Sequence, residues 1–78
     1  MNEYEKLKHL LDELYISYTE KRHTVYVKEI RLTTAPVSII WWGQDEFTIV
    51  GAGYNNVWEY SPEYIARMLD RKFRDGEL

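Results

Sequence analysis

The stretch VSIIWWGQDEFTIV, residues 37–50, decides the fold of this chain. Its first six residues are almost all apolar, the next four are glycine and polar residues, and the last four are again apolar or β-branched. Two apolar runs joined by a short turn-forming segment are typical of an antiparallel hairpin. The sequence therefore predicts a strand at 37–42, a turn at 43–46 and a second strand at 47–50.

Further strands are predicted on both sides of this hairpin. Residues 24–28, with the sequence TVYVK, are β-branched and aromatic and predict a strand. Lys28 and Glu29 then break the alternation ahead of Ile30 and Leu32, which predicts a bulge or a change of face. The remaining segments are predicted as a connection at 33–36, which contains Pro36, a loop at 51–56 and a short extended segment at 57–60.

A helix is predicted at each end of the chain. Near the N-terminus, Asn2 and Glu5 form a capping-box pattern, and the apolar residues that follow have helical spacing. This pattern predicts a helix at about 3–15.

The second helix is predicted to start at Pro62, with Ser61 as its N-cap, and to end at Asp75-Gly76. Tyr60 and Ile65 occupy the two positions of a hydrophobic staple. The residues predicted to form its buried stripe are Ile65, Met68, Leu69 and Phe73.

Together these elements predict a single domain, 1–78, of the α+β class. The order α-β-β-β-(β)-α corresponds to a two-layer fold with a three- to four-stranded antiparallel sheet. Two helices packed side by side cover about 20 Å, which is the width of one face of such a sheet. The other face is therefore expected to meet solvent or a partner.

The two-residue period of a strand predicts which side chains lie on each face. The odd-numbered strand residues are all apolar and are expected beneath the helices: Val25, Val27, Val37, Ile39, Trp41, Phe47 and Ile49. The even-numbered residues mix polar with large apolar side chains and are expected on the open face: Tyr26, Lys28, Ser38, Ile40, Trp42, Thr48 and Val50. Exposed apolar groups of this size often mark an interaction surface.

The charge of the chain disfavours nucleic acid as its partner. Ten Lys and Arg residues against 13 Asp and Glu give a net charge of −3, whereas nucleic-acid-binding domains usually carry a basic stripe. Only residues 21–40 form a basic block. Its charged residues are Lys21, Arg22, Lys28, Arg31 and Glu29.

The composition excludes several other classes. The chain has no cysteine, so it has neither a disulfide framework nor a thiolate metal site. No apolar run approaches the roughly 18 residues of a membrane helix, and residues 1–20 lack the apolar centre of a signal peptide. A cytoplasmic location without membrane contact is therefore expected.

No set of residues in the sequence predicts an enzyme, a metal site or a cofactor. His9 lies near Glu5 and Asp12 on what reads as a solvated helix face, and no neighbour in the sequence orients His23. Residues 51–53, GAG, lack the rest of a phosphate-binding loop and are expected to form a tight bend.

Two segments resemble the ends of a loose group of small phage and prophage proteins. These are KLKHLLDELYISY at residues 6–18 and YSPEYIARML at residues 60–69, although Tyr15 stands where that pattern usually has glycine. Structurally studied phage proteins of this size are often inhibitors of bacterial defence, including anti-CRISPR proteins. The resemblance implies an inhibitor of a bacterial defence complex, acting in the host cytoplasm, and brings no catalytic residues with it.

The function expected from the sequence is non-enzymatic binding to another protein. Three Trp and seven Tyr residues supply the side chains that dominate protein interfaces. The expected partner-binding residues are Tyr26, Lys28, Ile40, Trp42, Tyr54 and Trp58. A homodimer through the open face and coverage of that face by the loops at 33–36 and 51–56 are alternatives.

A second function remains open on the basis of topology. The order α-β-β-β-α is also that of double-stranded-RNA-binding domains and of HicA-type ribonuclease toxins, which use a strand histidine. His23 occupies a comparable place at the start of the basic block. The residues of this alternative nucleic-acid-binding site are Lys21, Arg22, His23 and Lys28, with Tyr26 for base stacking.

Overall fold

A computed structural model describes residues 1–59 and 61–78. In the order of the sequence, these residues form an N-terminal helix, the five strands of one sheet and a C-terminal helix. The predicted α+β class is therefore confirmed. The sheet has five strands rather than three to four. The elements are α1 (Glu3–Glu13), β1 (Tyr18–Arg22), β2 (Lys28–Leu32), β3 (Ser38–Trp41), β4 (Phe47–Gly51), β5 (Tyr54–Glu59) and α2 (Pro62–Arg74).

The five strands form an antiparallel meander in the spatial order β1-β2-β3-β4-β5. The predicted hairpin is confirmed as β3 and β4, with Trp41 opposite Phe47 at its closed end. Ile39 stands between Ile30 and Ile49 in the centre of the sheet. Each strand pairs with its neighbour in sequence, so every connection is short.

The strand predicted at 24–28 is wrong, because residues 23–27 connect β1 to β2. The Thr24 hydroxyl accepts hydrogen bonds from the backbone N–H groups of Tyr26 and Val27, at 3.1 and 2.9 Å. A threonine side chain that satisfies nearby backbone donors stabilises a turn even in a β-branched segment. Val25, expected beneath the helices, is 75% exposed at this turn.

Of the two alternatives predicted at Lys28-Glu29, a bulge or a change of face, the bulge is absent. Both residues pair in regular register, with Lys28 opposite Trp41 and Glu29 opposite Ile40. Because β2 begins at residue 28, its even-numbered residues share a face with the odd-numbered residues of β3. Ile30 is accordingly buried, whereas Glu29 lies on the opposite face of the sheet.

Much of the loop predicted at 51–56 belongs to β5. Ala52 and Gly53 form a two-residue turn, since Gly51 pairs directly with Tyr54. Ala52 and Gly53 both have positive φ angles, 47° and 89°, as a type I′ hairpin turn requires. The tight bend expected at the GAG segment is therefore present, and it joins two strands. The end of the extended segment predicted at 57–60 lies outside the described residues.

Helix α1 follows its predicted start and ends two residues early. The Asn2 side chain accepts a hydrogen bond from the Glu5 backbone N–H at 2.8 Å. After the helix, the Ile16 N–H donates to the Leu11 carbonyl at 3.0 Å, while Tyr15 has a left-handed φ of 58°. This is a Schellman ending, in which glycine is usual. Tyr15 thus adopts a left-handed backbone conformation that glycine adopts more readily.

Helix α2 starts and ends as predicted. The Ser61 hydroxyl accepts a hydrogen bond from the Tyr64 N–H at 3.1 Å, and Pro62 is the first helical residue. Ile65 and Leu69 are fully buried, whereas Met68 and Phe73 are partly buried at the edge of the core. The predicted staple involves Tyr60, which lies outside the described residues.

The hydrophobic core lies between the two helices and one face of the sheet. The helices pack against each other, and both contribute side chains to the same core cluster. The buried hydrophobic residues of the described chain are Tyr4, Leu7, Leu11, Ile16, Ile30, Leu32, Val37, Ile39, Trp41, Phe47, Ile49, Ile65, Ala66 and Leu69. The odd-numbered residues predicted in β3 and β4 are all among them.

Candidate functional site

The face of the sheet opposite the helices is the candidate site, and we call it the open face. Because Ile30, Ile39 and Ile49 point into the core, their neighbours along each strand point the other way. The open face consists of Glu29, Arg31, Ser38, Ile40, Thr48, Val50 and Trp58, together with Trp42 just after β3. One predicted alternative was that the loops at 33–36 and 51–56 cover this face. They leave Trp42 and Trp58 46% and 54% exposed, so the face is not covered.

Trp42 and Trp58 form a stacked pair on this face. Their ring centroids are 6.3 Å apart and their planes are inclined by 22°. The Trp42 indole N–H donates to the Thr48 hydroxyl at 2.6 Å. Thr48 lies opposite Trp58 in the register and is only 4% exposed, because the two indoles cover it. The indoles are therefore held in place while half of their surface remains available for a partner.

A charged cluster lies beside the tryptophans on the same face. The Glu29 carboxylate is 2.7 Å from His23 Nε2 and accepts a second hydrogen bond from Arg31 Nε. The Glu29 side chain is 7% exposed, whereas those of His23 and Arg31 are 36% and 55% exposed. The two basic side chains thus cover the carboxylate, although no helix packs over this face.

The Glu29 carboxylate is stabilised in its charged form. Burial alone would raise its pKa, but hydrogen bonds from Arg31, His23 and Ser38 outweigh burial and lower the pKa below its ordinary value. Because the folded-state pKa is the lower one, the ionised carboxylate stabilises the fold above the unfolded-state pKa. That contribution is lost as the pH falls through the folded-state pKa.

We therefore expect Glu29→Gln to destabilise the protein at pH 7 by about 1–3 kcal/mol, because a neutral amide replaces the buried carboxylate that accepts hydrogen bonds from His23 and Arg31, and hydrogen bonds to a charged acceptor are the stronger ones. The difference from wild type should shrink as the pH is lowered from about 5 to 3. Urea unfolding at several pH values measures this difference. Glu13→Gln, at an exposed carboxylate of α1, is the control, with an expected change below about 0.5 kcal/mol. A difference that stays constant with pH would contradict the assigned role of Glu29.

The open face holds three of the six residues predicted to bind a partner, namely Ile40, Trp42 and Trp58. Tyr26 lies in the β1–β2 turn, where it is 74% exposed and its backbone is next to Gly43.

Lys28 and Tyr54 lie on the helix side of the sheet, which corrects their predicted placement. The Lys28 ammonium is 5.2 Å from the centre of the Tyr4 ring and 5.7 Å from that of Trp41. Tyr54 packs against the core, with Lys72 of α2 5.2 Å from its ring centre. Lys28 lies on this side because the even-numbered residues of β2 pair with the odd-numbered, core-facing residues of β3. Tyr54 was expected in a loop, but it pairs with Gly51, which lies on the same side of β4 as the buried Ile49.

The residues of the alternative nucleic-acid site are divided between two places. Lys21, Arg22 and Lys28 line a groove beside the start of α1, whereas His23 contacts Glu29.

The expectation that nothing orients the His23 imidazole is therefore wrong, because its Nε2 is 2.7 Å from the Glu29 carboxylate. Glu29 was missed because it is six residues away and was expected at a bulge. The alternating apolar residues Ile30 and Leu32 were the signal that Glu29 and Arg31 share the opposite face.

Among the described residues, no group of three His, Asp or Glu side chains is arranged to hold a metal ion. None of the helices in the described part of the chain has the length and apolar character needed to cross a membrane. No protein-family model, curated protein or solved structure matches the chain.

Proposed function

We propose that this chain is a non-enzymatic protein-binding module that contacts its partner through the open face. The resemblance of its two ends to small phage proteins supports a bacterial defence complex as that partner, with the module acting as an inhibitor that occupies its surface. The observation that carries the proposal is the Trp42–Trp58 pair, which is half-exposed on the sheet face that the helices leave uncovered.

Tryptophan side chains in this arrangement suit an interface anchor. Exposing the apolar surface of an indole to water costs free energy, and covering that surface with a partner therefore contributes to the binding energy. Trp42 is already fixed by its hydrogen bond to Thr48 and by stacking on Trp58, so little side-chain entropy is lost on binding. Trp is also among the residue types that most often dominate binding energy in alanine scans.

The experiment is a quantitative pull-down of partner proteins from nuclease-treated bacterial lysate, followed by affinity measurement with the captured protein. We expect Trp42→Ala and Trp58→Ala each to weaken binding by about 30-fold or more, corresponding to about 2 kcal/mol. Tyr64→Ala is the matched control, because Tyr64 is an aromatic residue of α2 with a similar exposure of 52%. It should bind like wild type.

Three results would argue against the proposal. One is a Trp42→Ala variant that binds with wild-type affinity. The second is a steep loss of affinity with salt, which is typical of phosphate-backbone contacts. The third is a wild-type dimer that Trp42→Ala converts to a monomer in size-exclusion chromatography, because the open face would then bind a second copy of this chain.

A second candidate function, RNA cleavage, is favoured by the contact between His23 and Glu29. In the neutral imidazole, a hydrogen bond from Nε2–H to the Glu29 carboxylate selects the tautomer in which Nδ1 carries a lone pair, and this nitrogen can accept a proton from a ribose hydroxyl. Arg31 on the same carboxylate adds a positive charge beside the imidazole. This arrangement is what a general base requires, although protein binding remains the function that the open face supports best.

Incubation with a uridine-rich RNA oligonucleotide separates the two functions. We expect no cleavage by wild type, and His23→Ala should change partner binding by no more than a few-fold. His9→Ala is the matched control, because His9 forms an exposed 3.0 Å pair with Glu13 on α1. Cleavage by wild type and His9→Ala, but not by folded His23→Ala, would establish the second candidate and overturn the non-enzymatic proposal.

A further inference from the structure

A groove of about 420 Å³ lies between the start of α1 and strands β1 and β2, away from the tryptophan pair. We propose that this groove binds a phosphomonoester dianion. Its charged side chains are those of Lys8, Arg22, Lys28, Glu5 and Glu20, whereas the Lys21 side chain points to the open face because Lys21 pairs with Glu29. The inference is independent of the proposed function, because it rests on different residues.

The first observation is a pair of like charges that face each other across two strands. Arg22 and Lys28 are direct partners in the β1–β2 register. Side chains at such positions have Cβ atoms about 4.5–5.5 Å apart, and like charges there destabilise the sheet. Neither side chain forms an ion pair with any carboxylate of the described residues. A bound anion would turn this repulsion into attraction to a shared ligand.

The second observation is that the two carboxylates of the groove already have partners. Glu20 accepts a hydrogen bond from the Tyr4 hydroxyl at 2.8 Å, and its carboxylate is 3.2 Å from the Lys8 ammonium. Glu5 is 3.3 Å from the same ammonium. Lys8 therefore neutralises much of the negative charge in the groove, which leaves Arg22 and Lys28 for a ligand.

Lys28 is held in position before any ligand binds. Its ammonium lies between 5 and 6 Å from the ring centres of Tyr4 and Trp41, which are themselves stacked with centroids 5.4 Å apart. A cation at this distance from two aromatic rings is attracted to both without losing its charge. The amine is therefore kept in the groove, where its N–H groups remain available to phosphate oxygens.

The two cations left for a ligand favour a phosphomonoester over a phosphodiester. Arg22 and Lys28 face each other without an ion pair and together carry a charge of +2. A phosphomonoester carries about −1.5 to −2 at pH 7, whereas each backbone phosphate of a nucleic acid carries −1. The volume is also within the usual range of small-molecule sites, about 300–1,000 Å³. Inorganic phosphate and a nucleoside monophosphate share the required chemistry.

The test is a titration of the full chain followed by two-dimensional amide NMR at constant ionic strength. The probes are inorganic phosphate, uridine 5′-monophosphate, the diester uridylyl-uridine and sodium chloride. We expect saturable shifts at residues 20–22 and 28 with the two monoesters and at least tenfold weaker binding of the diester. If only the nucleotide saturates, the ligand is an organic phosphomonoester; if both monoesters bind equally, the groove recognises the phosphate alone.

Variants assign the binding to the groove. Arg22→Gln and Lys28→Gln should each weaken phosphate binding at least tenfold, whereas Arg67→Gln, on the exposed surface of α2, should not. Arg22→Gln should also raise the melting temperature of the ligand-free protein, because it removes the repulsion of Lys28. Equal shifts with chloride, equal binding of the diester, or wild-type binding by both groove variants would overturn the proposal. Trp42→Ala should bind phosphate normally, whatever its effect on partner binding.

Discussion

Replacing Trp41 with alanine should lower the free energy of unfolding by about 3–5 kcal/mol, the usual cost of removing a large buried aromatic side chain. Trp41 is 7% exposed, stacks on Tyr4 with ring centroids 5.4 Å apart and donates its indole N–H to the Gln44 carbonyl at 3.0 Å. Domains have about 5–15 kcal/mol of stability in total. In a small domain near the lower end of that range, this loss is enough to leave a large fraction of the molecules unfolded. Urea denaturation followed by circular dichroism measures the effect.

Trp42→Ala is the matched control for this experiment, because it removes the same side chain from the next position. Trp42 is 46% exposed and contacts the fold mainly through Thr48 and Trp58. We expect Trp42→Ala to cost about 1–2 kcal/mol, because it removes one hydrogen bond and one aromatic stack. If Trp42→Ala unfolds the protein while Trp41→Ala does not, the two faces of the sheet are assigned the wrong way round.

Gly51→Ala should be the most damaging substitution of a small residue in this chain. A Cβ atom at position 51 would lie 1.9 Å from the Pro36 carbonyl oxygen, and the φ angle of 95° is one that L side chains rarely adopt. Backbone must move to relieve such a contact, and the strained φ adds about 1–3 kcal/mol. We expect a total loss of about 3–5 kcal/mol, measured by thermal and urea unfolding.

Gly53→Ala separates the steric contact from the backbone strain. Gly53 has a similar φ angle, 89°, but a Cβ atom there would meet nothing within 4 Å. Its substitution should therefore cost only the strain, about 1–2 kcal/mol. Equal losses in the two variants would mean that the close approach of Pro36 to Gly51 does not limit the residue at position 51.

Local sequence signals determined the helices and the central hairpin. The caps Asn2 and Ser61 act on backbone groups within three residues, so they operate in the same way whatever surrounds them. The alternation of β3 and β4 is similarly local, because the odd-numbered residues on either side of the turn had to be apolar for one face to be buried, namely Val37, Ile39, Trp41, Phe47 and Ile49. These signals predicted the fold class and the positions of Trp41 and Trp42.

Tertiary structure decided the edges of the sheet and the contents of both candidate sites. TVYVK has the composition of a strand, yet it forms a turn because Ile30 and Leu32 must align with Ile39 and Val37 to reach the core. That alignment moved Lys28 to the helix side and placed Glu29 under His23. The groove likewise joins Lys8 to Lys28 across 20 residues. Such contacts depend on register and packing between distant segments, which local propensity does not encode.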